Sequence, residues 1–313
     1  MAPRPVVKWA GGKSRLLDRL MQRLPPGRFK TYAEPFCGGG AMFFALAAEP
    51  KRRFTRALLA DKNAELVTLY KVIKENVEPL IDRLRAYQDD YYRLDDAKRR
   101  ERFYEVRELD SRKLGPVERG ARLLFLNRTC FNGLWRVNAA GRFNVPFGKY
   151  ASPRILDVEV LRAAHEALSV AEIHLADFSV VTEQLKKGDF AYFDPPYVPV
   201  SKTANFTAYA SDPFGADEQE RLARELARLK KIGVHAMLSN AGTAEAKALY
   251  VQHGFVVDSI QAARSINSDP SKRGDVTELV VTTYDVAAKP GSAAKAAKPA
   301  KPAKPVARRR AAG

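Results

Sequence analysis

What this sequence has little of narrows it first. It has two cysteines in 313 residues, Cys37 and Cys130; that excludes a disulfide framework, and neither belongs to a C-x-x-C pair. Four histidines, His165, His174, His235 and His253, are scattered, so no His/Cys cluster has the spacing of a zinc site and no metal is expected. Apolar runs approaching the ~20 residues that cross a bilayer are missing. Met1 to Lys8 is short, basic and proline-bearing, without the apolar stretch of a secretory leader. Together these absences predict a soluble cytoplasmic protein with no membrane association. Acid is scarce as well: 36 Asp and Glu stand against 53 Lys and Arg, for a net charge of +17. Residues 286–313 carry five Lys, three Arg and no acid, which leaves about +9 on the rest of the chain. A positive excess of that size favours a polyanionic partner, because each phosphate contact releases counterions.

What is present reads as an α/β protein. Thr31 to Phe36 leads into Cys37-Gly38-Gly39-Gly40 and then an apolar helical stretch, Ala41 to Ala48. Arg56 to Asp61 is a short apolar strand ending in an acid, and helix-like sequence follows from Asn63 to about Arg112. Further strand candidates are 173–176, 190–193, 234–238, 255–260 and 279–284, with an amphipathic helix from Asp217 to Leu229. Strands alternating with helices predict an α/β sheet with helices on both faces. Between Glu65 and Tyr150 the pattern turns helical and rich in Arg, Lys and Tyr, then Gly/Asn-rich. The expected organisation is therefore an α/β domain over 1–64 and 151–286, an inserted second domain over 65–150, and a tail over 287–313. Proline every third residue in Lys298 to Pro305 predicts that the tail is disordered.

Two local patterns carry chemistry. The first is the glycine turn between a strand and a helix, with Asp61 ending the next strand about twenty residues on. Glycines permit positive φ and close backbone approach to a ligand, and a strand-end acid can bind a ribose hydroxyl. The turn lacks the G-x-G-x-x-G spacing, which disfavours a nicotinamide cofactor; Asp61 could instead cap the following helix. The second pattern, Asp194-Pro195-Pro196-Tyr197, follows the apolar strand Phe190 to Phe193 directly. Consecutive prolines hold the Asp194 carboxylate and the Pro195 carbonyl as neighbouring acceptors with the Tyr197 ring beside them. An amine conjugated to a purine ring offers two N–H donors and a delocalised lone pair. Two acceptors pulling on those hydrogens favour a tetrahedral nitrogen that can attack a methyl sulfonium. Tyr197 can stack on a base that has left its helix.

Four stretches in this order resemble the Dam-type DNA adenine methyltransferases, in which the catalytic DPPY follows the recognition domain. They are Lys8-Trp9-Ala10-Gly11-Gly12-Lys13; Glu34 to Gly40; Asn127 to Asn138, continued by Phe143 to Gly148; and Asp194 to Tyr197. Echoes occur at Phe206-Thr207-Ala208-Tyr209, Leu238-Ser239-Asn240 and Arg264 to Ser268. The resemblance implies a Rossmann-like methyltransferase catalytic domain over 1–64 and 151–286 and a DNA-recognition role for the inserted, mostly helical domain 65–150. It also implies S-adenosyl-L-methionine as cofactor and N6 of adenine in double-stranded DNA as target. It puts Trp9, Lys13, Phe36, Gly38, Gly40, Asp61, Asp177, Phe178 and Asp194 at the cofactor, and Asp194, Pro195, Pro196 and Tyr197 at the reaction. Asp177 could equally be a strand-end cap.

The stretch Arg128 to Lys149 resembles the family's DNA-contacting hairpin. There Arg128, Phe131, Asn132, Leu134, Arg136, Asn138, Pro146 and Lys149 are the expected contacts, with Arg136 matching the residue that reads a guanine of GATC. Phe131 stands where the family often has Tyr, and Trp135 where a small residue is expected, so the exact recognition sequence stays open. A monomer is the simplest assembly, and a cognate restriction endonuclease is a possible partner. Rival readings are a non-catalytic DNA-binding module and methylation of cytosine N4, RNA adenine or a protein amide; the acid at Asp194 favours adenine. Both cysteines read as buried space-fillers, and the histidines as structural.

Overall fold

The computed structural model describes residues 1–197, 214–263 and 275–286, without the side chains of 262, 263, 275 and 276. The echoes at 206–209 and 264–268 and the basic tail from 287 lie outside the described residues. Strands β1 (Thr31–Glu34), β2 (Arg56–Asp61), β3 (Ala171–Leu175), β4 (Phe190–Phe193), β5 (His235–Ala241), β6 (Val256–Ala263) and β7 (Asp275–Thr282) form one sheet of order β3-β2-β1-β4-β5-β7-β6. The first five are parallel; β7 runs antiparallel between β5 and β6.

The apolar runs that mark β1 and β4 are explained by burial on both sides. Side chains alternate along each strand, so Tyr32, Phe190 and Tyr192 enter one core while Ala33, Ala191 and Phe193 enter the other. Helices α1 (Leu17–Met21), α2 (Ala41–Ala48), α3 (Ala64–Glu75) and α7 (Val158–Leu168) supply the first core. The second is covered by α8 (Phe178–Thr182), α9 (Ala216–Lys231) and α10 (Ala244–Gln252). Among the described residues no helix is long and apolar enough to cross a membrane.

The helix-like stretch expected from Asn63 to Arg112 is in fact three helices: α3, α4 (Val77–Arg93) and α5 (Asp96–Glu108), followed by α6 (Pro116–Thr129). Short polar side chains make the breaks. Asn63 accepts from the Glu65 and Leu66 amides, Asp95 accepts from the Lys98 amide, and Asn76 leaves helical geometry at φ −141°. Asn63 thus caps α3, and Asp61 does not. Helix α6 packs on α3 and α4, and one continuous core reaches from the sheet into these helices.

The expected strand 279–284 also moves. Strand β7 begins at Asp275, because its polar first half pairs with Ile260 to Ala263 of β6, and Tyr284 falls beyond it. That shift sets Glu278 opposite Ala241 at the carboxyl end of β5. The strand order reverses between β1 and β4, and the crevice outside their carboxyl ends is where open α/β sheets bind ligands. The glycine turn leaves β1 there, and Asp194 leaves β4 beside it.

Candidate active site and nucleic-acid interface

The glycine turn is shaped by contacts that leave no room for side chains. Gly38 and Gly40 have φ of +48° and +66°, and a Cβ would lie 3.1 Å from the Trp9 ring at Gly38 and 3.1 Å from Phe44 at Gly40. Asp61 reaches across from β2: it accepts the Gly38 amide at 2.9 Å and the Asn63 amide at 2.8 Å. Tyr70 donates its hydroxyl to the Gly38 carbonyl at 2.8 Å. Burial raises the Asp61 pKa, and the backbone N–H groups oppose that rise. At the root of the turn Glu34 is buried, accepting the Tyr32 hydroxyl at 2.7 Å and the Phe43 amide at 2.9 Å. Burial pushes its carboxyl up to about 8, which favours the neutral form.

Beside the turn, three chain segments assemble a charged cluster. Lys13, only 4% exposed, donates to the Gly11 carbonyl at 2.9 Å and pairs with Asp194 Oδ1 at 2.8 Å. Its ammonium is 3.9 Å from Glu278 Oε2 and 4.8 Å from the centre of the Tyr197 ring. Tyr197 donates its hydroxyl to the same Glu278 oxygen at 3.0 Å. An isolated ammonium at this depth would be costly, and the two carboxylates offset that cost. Burial raises the Asp194 pKa and the Lys13 charge holds it back. The diproline turn is braced from behind by Gln219, which donates to the Pro196 carbonyl at 3.4 Å and accepts from Asn240 and Tyr250. Among the described residues the Pro195 carbonyl accepts no hydrogen bond.

The other wall of the crevice is aromatic. Phe36 packs on Phe178, Phe193 and Phe214 with ring centres 5.5–6.5 Å apart. Asp177 caps α8 through the Ser179 amide and takes two hydrogen bonds from Arg221, at 2.9 and 2.8 Å, with Lys62 at 3.2 Å. Burial alone would raise its pKa; Arg221, Ser179 and Lys62 hold it well below the usual carboxylate range. The capping alternative for Asp177 is therefore realised.

The hairpin from 131 to 149 is built differently. It is held by two isolated bridges, Cys130 with Phe147 and Val137 with Phe143. The Asn138 side chain closes its tip by accepting the Ala140 and Arg142 amides at 3.0 Å each. Phe131 is 52% exposed, and Asn132, at φ 56°, Arg136, Pro146 and Lys149 are exposed with it. Among the described residues the Arg136 side chain donates only to Asn144 of its own hairpin, at 2.8 and 3.4 Å. Leu134 is half-buried. Arg128 departs from expectation: its guanidinium turns inward to the Val6 carbonyl at 2.7 Å, where burial lowers its pKa. The buried Trp135 ties the hairpin to the crevice, stacking on Trp9 at 6.1 Å and 20°.

Comparison with known proteins decides the family. The family model of the D12 class N6 adenine-specific DNA methyltransferases matches residues 9–266. The chain belongs to that family. It is 39% identical over 292 residues to the Type II methyltransferase M.MjaIII of Methanocaldococcus jannaschii, covering 91% of this chain and 100% of that one. It is 38% identical to the Type II methyltransferase M1.LlaDCHI of Lactococcus lactis, over 90% of this chain and 95% of that one. With the DNA adenine methylase of Haemophilus influenzae it shares 35% identity, over 88% and 92% of the two chains. The enzyme is an adenine-specific DNA methyltransferase, as its motifs led us to expect.

In this methyltransferase three polar groups at the crevice escaped the sequence reading: Glu278, the brace Gln219, and Arg221 on Asp177. Each comes from an element far along the chain. Only Asn240, as part of the Leu238-Ser239-Asn240 echo, carried a signal. Cys37 and Cys130 are buried free thiols whose pKa values burial raises, Cys130 to about 12, in keeping with space-filling.

Proposed function

We propose that this enzyme methylates adenine N6 in duplex DNA, taking the methyl group from S-adenosyl-L-methionine, with Asp194, Pro195, Pro196 and Tyr197 at the reaction. The observation carrying this reading is the Lys13–Asp194–Tyr197 cluster beside the glycine turn at the strand-order reversal. The residues present suit the cofactor. Gly38 and Gly40 keep the cradle clear, Asp61 retains lone pairs for ribose hydroxyls, and the Phe36–Phe178 wall is apolar. Trp9, Lys13 and Asp177 border the same crevice. When bound, the cofactor supplies a methyl group on a cationic sulfur, an electrophile needing no metal.

The chain's own groups would do the rest. The target adenine leaves the helix and lies on the Tyr197 ring. Asp194 and the Pro195 carbonyl accept its two N–H hydrogens and so aim the nitrogen lone pair. Attack on the cofactor's methyl group would form an N–C bond as the C–S bond broke, and the nitrogen would then shed one proton to solvent or to Asp194.

The recognition unit is 65–150, joined to the catalytic parts 1–64 and 151–286, with the tail 287–313 adding unspecific attraction to DNA. Its hairpin meets DNA through Phe131, Asn132, Leu134, Arg136, Asn138, Pro146 and Lys149. GATC is the proposed site, on the match of Arg136 to the family's guanine reader. We take the enzyme as a cytoplasmic, nucleoid-associated monomer; the Type II names of two relatives favour a cognate restriction endonuclease. Expression of wild-type and Asp194→Ala proteins in a host lacking DNA methylation, followed by single-molecule sequencing, tests this. N6-methyladenine at GATC in the wild type alone is the expected result. The mark at another motif would remove the specificity claim, and its absence from a folded wild type would remove the whole reading.

A further inference from the structure

Glu278 has no part in the motifs that point to the activity, yet it completes their cluster. It lies on β7, paired with Ala241 of β5 and Ile260 of β6, whereas Lys13 comes from the N-terminal loop and Asp194 and Tyr197 from the end of β4. Its Oε2 accepts the Tyr197 hydroxyl at 3.0 Å and stands 3.9 Å from the Lys13 ammonium. The three charged side chains are between 5% and 19% exposed, so water screens them little.

Two consequences follow from that geometry. A largely buried tyrosine hydroxyl needs an acceptor, and a fixed acceptor sets where the ring lies. A lone Lys13 would also draw on Asp194 and weaken it as an acceptor. Sharing the ammonium with a second carboxylate leaves the cluster with a net charge of −1 while both acids are ionised. That sign favours a nitrogen that becomes cationic as it is methylated.

We propose that Glu278 is a positioning residue for methyl transfer: it fixes the Tyr197 ring and divides Lys13 with Asp194, so that both meet the target amine correctly. This rests on the proposed roles of Asp194 and Tyr197.

The test uses the full chain, saturating S-adenosyl-L-methionine and a duplex oligonucleotide in single turnover, with Asp194→Ala, Glu278→Ala, Glu278→Gln, Tyr197→Phe, Tyr197→Ala and Tyr197→Phe/Glu278→Ala. Glu278→Ala should slow the transfer step at least about tenfold while cofactor and DNA Kd stay within about twofold. Glu278→Gln keeps an acceptor for the hydroxyl and should restore part of the loss. The double variant should be no slower than its slower parent, because both changes remove one contact. With 2-aminopurine at the target position and no cofactor, the Glu278→Ala complex should emit like a Tyr197→Ala complex. Wild-type rate or wild-type emission in Glu278→Ala, or multiplicative losses in the double variant, would overturn the proposal. Should Glu278→Ala not fold, Glu278→Gln decides: it must be slower than wild type, and adding Tyr197→Phe must cost it less than it costs wild type. If Asp194→Ala stays active, the site assignment itself fails. If Asp194→Ala is dead and Glu278→Ala is intact, only the role of Glu278 falls.

Discussion

The crevice and the hairpin of this enzyme are opposites in how they treat polar groups. In the crevice Lys13, Asp61, Asp177, Asp194, Tyr197 and Glu278 are each tied to a named partner inside the protein, and Glu34 is buried beneath them. On the hairpin Arg136, Asn132 and Lys149 are exposed, and Arg136 leans on its neighbour Asn144. Chemistry at a planar nitrogen needs acceptors already in place, since reorganising them during the reaction would cost rate. Reading a duplex needs donors still free to bond to bases and phosphates. The stack of Trp9 on Trp135, the chain's only tryptophans, links the two regions, alongside Asn127, which donates to the Lys8 and Gly133 carbonyls.

Breaking that link should have the largest effect on stability. Trp135→Ala removes a buried ring that also touches Phe143, at 4.9 Å, and should cost about 3–5 kcal/mol in denaturant unfolding. Trp135→Phe should cost far less, and should weaken cofactor binding if the stack orders the glycine turn. Next comes Arg136→Ala. A lost bidentate contact to guanine is worth about 1–3 kcal/mol of discrimination, so methylation should spread to sites altered at one base, read by sequencing methylated competitor duplexes. A pair of substitutions then separates inward from outward cations. Lys149→Ala should lower the slope of log Kd against log salt by about one. Arg128→Ala should leave that slope unchanged while destabilising the fold by about 1–2 kcal/mol, through the orphaned Val6 carbonyl. Smallest is a displaced pH limb. Because burial raises the Asp194 pKa, its carboxylate ionises only above the usual range near ~3.9, so transfer should fall as pH drops through a midpoint above that value.

Much of this site was legible because its residues lie in short local patterns. The strand Phe190 to Phe193 has the bounds its apolar run predicts, and Asp194 follows it as a strand-end acid. The glycine turn, Asp61 and Lys13 converge where the alternation of strands and helices implies a crevice. Glu278 was not legible. In its own stretch it is one acid on a strand, and only the antiparallel entry of β7 between β5 and β6 carries it to Lys13. Arg128 misled for the complementary reason: a cation beside a recognition motif looks exposed until packing shows a backbone carbonyl in front of it. Long-range pairing and burial, neither of which is written in local composition, account for both.

The central claim is that Asp194 takes part in methyl transfer to adenine N6, and its most direct test is a rapid-quench reaction of purified protein with duplex DNA. Wild-type and Asp194→Asn proteins would be compared, with the nucleosides identified by mass spectrometry. The account predicts N6-methyldeoxyadenosine from the wild type and a loss of about 10³-fold or more in Asp194→Asn, with cofactor and DNA affinities kept. A methylated base other than adenine, or an Asp194→Asn protein that transfers at the wild-type rate, would contradict it.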